Sequence, residues 1–148
     1  MALSDKAYLQ INQALFSLTH AYEARMIAEA NDWGGLSLAD CSVLVVLHQF
    51  APTTASHLAK VMDINPGTIS VYVRRLVKKG LVQRAQDADD LRTWWLTFTE
   101  TGRPVADAVV AGAAAYTRDF LAALDDEEQQ TLHCLLLKAS HSLGFDWQ

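Results

Sequence analysis

The sequence predicts a mainly α-helical protein with a small β-hairpin. Residues 53–80 have the pattern of two short helices joined by a tight turn, and the second helix keeps its cations on one side. Directly after Gly80 the pattern changes to that of two short strands, which would form a hairpin, or wing. Apolar helices precede and follow this segment. Together these features predict a winged helix-turn-helix module whose N- and C-terminal helices form a dimerisation region.

The first helix is predicted over residues 4–30. Its apolar residues recur at steps of three and four, which gives a narrow seam of the coiled-coil kind. The seam consists of Tyr8, Ile11, Leu15, Leu18 and Tyr22, and Leu9, Phe16 and Ile27 lie outside it. A helix that is apolar on more than one side is either deeply buried or shared with another subunit. So early in a small chain, a subunit contact is favoured. Residues 31–35 are predicted to end this helix.

The next helix is predicted to begin after Ser37. Asp40 stands three residues later and completes a variant of the capping box, in which each side chain accepts the other residue's backbone N–H. The run at residues 43–47 is almost wholly apolar. We therefore expect this helix to form the centre of the core.

The helix-turn-helix begins with Thr54 as the predicted N-cap of its first helix. Asp63 stands where the chain must turn, and Asp tolerates the left-handed backbone conformation that such a turn often requires. The second helix begins at Asn65 and Pro66, a good N-cap followed by the one helical position where proline costs nothing. This pattern of caps and turn is typical of the helix-turn-helix motif, which places its second helix in the DNA major groove.

The second helix of this motif divides into a buried face and an exposed face. With Ile69 at the centre of the buried face, a step of about 100° per residue places Val73 and Leu76 beside it. The exposed face comprises Gly67, Thr68, Ser70, Val71, Arg74, Arg75 and Lys78. Such a mixture of small, apolar and cationic residues suits a helix that approaches base edges closely. The alternative is an ordinary helical hairpin with a basic, solvated face.

The wing is predicted from two short strands around an acidic turn at residues 86–91, the second strand being residues 93–98. Arg92 is placed to reach a neighbouring minor groove or phosphate. Trp94 and Trp95 point to opposite faces of the strand, so we expect one of them to face the core.

Two more helices follow the wing. The first is predicted to start near Thr101 with Pro104 in its first turn, and Gly112 in its interior permits close packing. Asp125 and Glu128 form a second capping box before the last helix. Pairing of the first and last helices between two chains would bury their apolar surface. It would also set two reading helices in successive major grooves, about 34 Å apart.

The chain has 148 residues, of which 51% are hydrophobic, so it can bury a core in one domain. We expect a single unit over residues 1–148, with dimerisation helices at about residues 1–34 and 101–148 and the DNA-binding module at about residues 37–99. No stretch approaches the length of a membrane span, and the N-terminus lacks a secretory pattern. We therefore expect a cytoplasmic protein with no membrane partner.

The net charge of −5 at first argues against nucleic acid, but its distribution reverses that conclusion. Residues 60–92 contain seven cations and four acids, or +3, whereas the rest of the chain contains five cations and thirteen acids, or −8. A basic island in an acidic body is the electrostatic footprint of a nucleic-acid-binding surface.

Other kinds of site find little support. The five histidines include no pair at metal-ligand spacing, and His133 and Cys134 are merely adjacent, so we expect no metal site. Cys41 lies near the N-terminus of a core helix, where a thiolate can be stabilised, but a buried and inert thiol is favoured over a redox sensor. The sequence has no Gly-rich phosphate loop, nucleophile elbow or HExxH motif. We therefore expect no enzyme and no cofactor.

Three segments resemble the MarR-type winged-helix transcriptional regulators, and the resemblance extends over essentially the whole chain. LVKKGLVQR at residues 76–84 resembles that family's RLxxKGLVxR passage from recognition helix to wing. DLRT at residues 90–93 resembles its D-x-R wing-tip motif, and LTFTETG at residues 96–102 is similar to its LT-x-x-G entry into the fifth helix. Asp87 and Asp89 depart from the family, whose wings often carry more basic residues there. Extra acids would weaken or narrow the groove contact.

The resemblance carries functional expectations. It implies that Asp90 steadies Arg92, which would enter the minor groove. It implies a homodimer on a pseudo-palindromic operator, released by a small-molecule effector or by thiol oxidation. Tyr22 and Trp33 are candidate residues of an effector pocket between the dimerisation helices and the DNA-binding module.

We therefore expect a sequence-specific transcriptional regulator that binds double-stranded DNA, more specifically a homodimeric repressor. Base contacts are assigned to Thr68, Ser70, Val71 and Arg74. Phosphate contacts are assigned to Lys60, Arg75 and Lys78, and the minor groove to Arg92 with Asp90. The alternative is a winged-helix module that binds protein, such as an antirepressor or scaffold. Cations at both Arg74 and Arg92 favour DNA, because a protein-binding wing does not need both.

Overall fold

The computed structural model describes residues 2–30 and 32–144. Over these residues the chain forms six helices and a three-stranded antiparallel sheet. The elements are α1 (Asp5–Ala30), α2 (Leu38–Phe50), β1 (Thr53–Thr54), α3 (Ala55–Val61), α4 (Pro66–Lys78), β2 (Val82–Gln86), β3 (Trp94–Phe98), α5 (Gly102–Leu121) and α6 (Asp126–Ser142). This order confirms the predicted winged helix-turn-helix. Asn31, where we expected the end of the first helix to begin, lies outside the described residues.

The helix α2 forms the centre of the core, as predicted. The hydroxyl oxygen of Ser37 accepts the Asp40 N–H at 3.1 Å, and the Asp40 carboxylate accepts the Ser37 N–H at 2.9 Å. The predicted capping box is therefore confirmed. The inward-facing residues of α2 are buried, namely Cys41, Val43, Leu44, Val46 and Leu47.

The helices α3 and α4 form the helix-turn-helix. Thr54 caps α3 by accepting the His57 N–H at 3.2 Å, and Asn65 caps α4 by accepting the Gly67 N–H at 2.8 Å. Between the helices Asp63 adopts a φ of 50°, in the left-handed region predicted for this turn. The apolar seam between the helices closes over the buried residues Leu58, Ala59, Ile69, Val73 and Leu76.

The strands β2 and β3 form the predicted hairpin, with Val82 opposite Phe98. A further strand was not predicted: β1 pairs with β3 through Thr53 and Leu96. Two residues are too few to show the alternation of a strand, and the sequence signal at this point is the cap of α3. The pairing depends on a partner that lies far along the chain.

The prediction that one tryptophan of β3 faces the core is wrong. Trp94 and Trp95 are 46% and 36% exposed, and the core position of the strand belongs to Leu96. The strand reaches the core only from Leu96 onward. Both tryptophans precede it, where the hairpin leaves the body of the protein.

The helix α5 approaches its neighbours closely at two glycines. A Cβ atom on Gly102 would overlap the Leu81 carbonyl oxygen, and one on Gly112 would lie 2.8 Å from the Trp33 ring. The close packing predicted at Gly112 is therefore confirmed. This packing fixes α5 against the wing base and against the segment that follows α1.

The helices α1 and α6 leave much of their apolar surface uncovered in the single chain. Of the residues described in α6 none is buried, and of those in α1 only Met26 and Ala30 are. The exposed apolar side chains include Tyr8, Leu9, Ile11, Leu15, Phe16, Leu18, Leu135, Leu136 and Leu137. The predicted spare apolar surface of the terminal helices is confirmed. In the part of the chain that the structure describes, no helix combines the length and apolarity that crossing a membrane requires.

Candidate nucleic-acid interface

The helix α4 presents its predicted exposed face to solvent. Val71 is 51% exposed, and Arg74 and Lys78 are exposed beside it. Thr68 and Ser70 are half-buried at the edge of this face. The Ser70 hydroxyl donates to the backbone carbonyl one turn earlier at 2.8 Å, which leaves its oxygen lone pairs as acceptors. This face thus offers methyl groups, a guanidinium and hydroxyl groups. These are groups that can contact a thymine methyl group and form hydrogen bonds with base edges.

Arg92 projects from the wing, with its side chain 95% exposed. One carboxylate oxygen of Asp90 accepts the Arg92 N–H at 3.1 Å and lies 3.5 Å from Arg92 Nε. The other accepts the Thr93 hydroxyl at 3.0 Å. The backbone N–H of Arg92, followed by the Thr93 hydroxyl, holds the pKa of Asp90 below its usual value. A charged Asp90 therefore lies next to the Arg92 guanidinium.

The wing and the helix-turn-helix enclose an open cleft of about 380 Å³. Its lining includes Ser70 of α4 together with Arg92 and Arg84 of the hairpin. Two hydroxyl residues, Thr54 and Ser56, line it at the start of α3. The structure thus brings one predicted base-contact residue and the predicted groove arginine to the same surface.

Arg84, Thr54 and Ser56 were not predicted as site residues. Arg84 had counted only toward the local charge and as the last residue of the segment at 76–84 that resembles the family, and Thr54 only as a helix cap. The cleft forms between segments that are distant in sequence, so no local pattern marks its lining. The pairing of Arg84 with Leu96 across the hairpin is what places this cation beside the helix pair.

Arg75 has a different position from the one predicted. Its Nε donates to Asp40 Oδ1 at 2.7 Å, and its Nη2 donates to the Ser37 hydroxyl oxygen at 2.9 Å. The guanidinium also lies over the Tyr72 ring, 5.3 Å from its centroid. Asp40 is 1% exposed, so a buried carboxylate holds this arginine. The guanidinium is thus bonded to α2 and fixes the C-terminal half of α4, which favours a positioning role for Arg75 over the predicted phosphate contact.

Two lysines of the basic island are exposed to solvent, whereas a third bonds to another part of the protein, as Arg75 does. Lys60 on α3 and Lys78 at the end of α4 are exposed. Lys79 instead donates from Nζ to the Gly35 carbonyl oxygen at 3.1 Å. Lys79 and Arg75 together tie the C-terminal end of α4 to the segment from Gly35 to the start of α2.

The two candidate ligand residues lie in different cavities. Tyr22 lines an apolar cavity of about 240 Å³ between α1, α2 and Met62, where burial, and then the charge of Cys41, raises the pKa of its hydroxyl. Trp33 lines a groove of about 470 Å³ with Lys79 and Pro104. The structure does not bring Tyr22 and Trp33 together.

The cysteines differ in accessibility. Cys41 is fully buried, and burial together with the neighbouring Asp40 charge raises the pKa of its thiol to about 11. This environment suppresses thiolate formation at neutral pH. Cys134 is exposed on α6. Among the described residues, no group of three His, Cys, Asp or Glu side chains is arranged to hold a metal ion.

Comparison with known proteins agrees with this geometry. The sequence profile of the MarR family matches residues 36–94, which run from just before α2 to the start of β3. The HTH-type transcriptional repressor MdtR of Bacillus subtilis is 26% identical over 95% of this chain and 86% of its own length.

Two solved structures share the fold. The crystal structure of a probable transcriptional regulator from Pseudomonas aeruginosa is 34% identical, covers 88% of this chain and 96% of its own, and superposes with a TM-score of 0.71. A variant of MarR from E. coli, crystallised with operator DNA, is 19% identical, covers 93% of this chain and 99% of its own, and gives a TM-score of 0.75. The chain is thus not an enzyme: it is a winged helix-turn-helix protein that belongs to the MarR family of transcriptional regulators.

Proposed function

We propose that this protein is a cytoplasmic homodimer that binds double-stranded DNA sequence-specifically and represses transcription from a pseudo-palindromic operator. The observation that carries the proposal is the placement of α4 and the wing around one cleft. Val71 and Arg74 are exposed on the helix, and Arg92 is exposed on the wing. Ser70 and Arg92 line the cleft together. Sequence-specific binding of this kind needs a helix that enters the major groove and an arginine that enters the neighbouring minor groove, and α4 and Arg92 are placed for these two contacts.

Each cation has a distinct role in this proposal. Arg74 forks onto a guanine, while Thr68, Ser70 and Val71 contact neighbouring base edges, Val71 through a thymine methyl group. Lys60, Lys78 and Arg84 contact phosphates, which fix the register of the protein on the duplex. Arg92, oriented by Asp90, enters the minor groove. Arg75 contacts no DNA and instead positions α4.

The dimer is formed by the terminal helices, at about residues 1–34 and 101–148, around reading modules at about residues 37–99. The uncovered apolar side chains of α1 and α6 support this division, because a soluble monomer rarely exposes contiguous apolar surface of this extent. A two-fold axis between the chains would set the two α4 helices about 34 Å apart, one helical turn of DNA. The repressor function of MdtR and the operator complex of the E. coli protein support repression and DNA binding.

Release from DNA follows a small ligand or another signal. The groove beside Trp33 supports this part of the proposal, because Lys79 lines it and also bonds the Gly35 carbonyl oxygen. A ligand there would contact both the end of α4 and the segment that follows α1. It would therefore act on the angle at which α4 is held.

The proposed roles are tested by fluorescence anisotropy with two duplexes. One is the cognate site obtained by selecting bound sequences from random DNA, here called the selected duplex, and the other is a scrambled control. Arg74→Ala is expected to cost about 1–3 kcal/mol on the cognate site and to relax discrimination there. Lys78→Ala is expected to weaken both duplexes alike and to reduce the slope of log affinity against log salt by about one. Equal effects of the two substitutions on both duplexes would contradict these roles. Failure of the wild-type dimer to bind any duplex would favour the protein-binding alternative.

A further inference from the structure

The turn of the wing is organised by a carboxylate outside the family's D-x-R motif. Asp87 Oδ1 accepts the backbone N–H groups of Asp89 and Asp90, both at 2.9 Å. Asp87 Oδ2 accepts the indole N–H of Trp95 at 2.6 Å. The Asp87 N–H itself donates to the Thr93 carbonyl oxygen at 2.9 Å, which closes the turn. These bonds, Trp95 first, hold the pKa of Asp87 below its usual value, so the carboxylate is charged at neutral pH.

This arrangement explains two features that the sequence leaves unexplained. An acid at position 87 is expected to repel DNA, yet its charge is satisfied by three N–H donors within the wing. Trp95 is 36% exposed and contributes little to the core, yet its indole N–H reaches a partner that Phe or Leu could not bond.

The turn connects directly to the groove arginine. Asp87 fixes the backbone N–H of Asp90, and Asp90 in turn accepts the N–H of Arg92 at 3.1 Å. Ordering this loop before binding removes an entropy cost that the complex would otherwise carry. Without Asp87 the backbone N–H groups of Asp89 and Asp90 would lose the acceptor that holds them, and Asp90 would be placed less firmly beside Arg92.

We propose that Asp87 and Trp95 are a positioning pair, which holds the wing turn so that Asp90 presents Arg92 to the DNA. The inference rests on the proposed DNA-binding function. Asp87 then affects affinity through Arg92 and not through its own charge.

A charge-matched pair of variants separates these two effects in the full-length protein. Asp87→Asn and Asp89→Asn remove the same charge from the same turn, but of the two side chains only that of Asp87 accepts a hydrogen bond among the described contacts. Asp89→Asn is expected to bind the selected duplex no more weakly than wild type. Asp87→Asn is expected to bind about three- to tenfold more weakly, the effect of a lost hydrogen bond. Equal tightening by both variants would overturn the proposal.

The dependence on Arg92 is tested in a second background. In the Arg92→Ala protein, Asp87→Asn is expected to change affinity by less than about twofold, because there is no longer an arginine to orient. A loss as large as in the wild-type background would show a general effect on stability and would overturn the proposal. Trp95→Phe keeps an aromatic ring and removes the N–H donor. It is therefore expected to weaken binding as Asp87→Asn does in the wild-type background and, like Asp87→Asn, to change affinity by less than about twofold in the Arg92→Ala protein.

Hydrogen exchange of the Trp95 indole N–H, measured by NMR without DNA, tests the pair independently. In wild type this proton is expected to exchange more slowly than in Asp87→Asn, whereas Asp89→Asn should leave the rate unchanged. Equal exchange in wild type and Asp87→Asn would overturn the positioning pair. Absence of DNA binding by wild type, with the indole N–H still protected, would overturn the proposed function instead.

Discussion

Replacing Asp40 with alanine is expected to lower the free energy of unfolding by about 2–3 kcal/mol. The Asp40 side chain is 1% exposed and uses both oxygens, one for the Ser37 N–H and one for Arg75 Nε. A hydrogen bond to a charged group contributes about 1.5–3 kcal/mol, and one arm of a capping box about 0.3–1.5 kcal/mol. The lower half of the combined range applies, because the Arg75 side chain is 38% exposed and can be rehydrated once its partner is lost.

The assay is urea denaturation followed by far-UV circular dichroism. Protein concentration must be held constant across variants, because the stability of a dimer depends on it. The matched control is Asp107→Ala, which also removes a carboxylate from a side-chain hydrogen bond, here with His48 Nε2 at 2.9 Å, but on the surface. That pair is expected to contribute less than about 1 kcal/mol.

Asp40→Ala should also weaken binding of the selected duplex, because Arg75 would no longer fix the C-terminal half of α4. Arg75→Lys should give an intermediate loss, since lysine keeps the charge but not the two-pronged geometry. If Asp40→Ala proved as stable as Asp107→Ala, the reasoning about the buried carboxylate would be refuted.

Three other predictions address the dimer, the buried thiol and the wing. Leu15→Glu should raise the dissociation constant of the proposed dimer at least about tenfold in sedimentation equilibrium, because a Leu buried in an interface contributes about 1.5–3 kcal/mol. Gln10→Glu, on the polar side of α1 between the two apolar sets, should not, and equal behaviour would place the interface elsewhere. Cys41, with a pKa of about 11, should resist iodoacetamide at pH 8 until urea unfolds the chain, and rapid native labelling would contradict its burial. The folded-state pKa of Asp87 is lowered, so its contribution to wing order is present above the ordinary Asp pKa and lost as pH falls through the lowered value. Protection of the Trp95 indole N–H should therefore persist at pH 5 and disappear only in stronger acid, and its loss at pH 5 would contradict the bond.

Features that depend on neighbouring residues could be predicted from the sequence. The caps at Ser37, Thr54 and Asn65 act through backbone groups two or three residues away, so residue type and spacing suffice to identify them. The left-handed conformation at Asp63 is local in the same sense. The inward face of α4 follows from helical periodicity alone.

Contacts between distant segments could not be predicted. The role of Arg75 is set by Asp40, thirty-five residues earlier, and a pattern along one helix cannot show that an arginine near its exposed face turns back to a buried carboxylate. From the sequence, Asp87 was expected to weaken the contact with DNA, because its negative charge is evident there. The three N–H groups that donate hydrogen bonds to its carboxylate are not evident from the sequence. Arg84 joins the cleft only because the hairpin folds it beside α3 and α4. In each case the sequence identified the charge of the side chain, but not the distant residues beside which the fold places it.

Selection of bound sequences from random double-stranded DNA, with the purified full-length protein, tests the central claim most directly. Two copies of α4 in successive major grooves predict a two-fold symmetric consensus, with half-site centres about 10–10.5 base pairs apart. Arg74→Ala should lose the preference at one position in each half-site. A single asymmetric half-site, or no enriched sequence at all, would contradict a dimer that reads DNA with α4 and the wing.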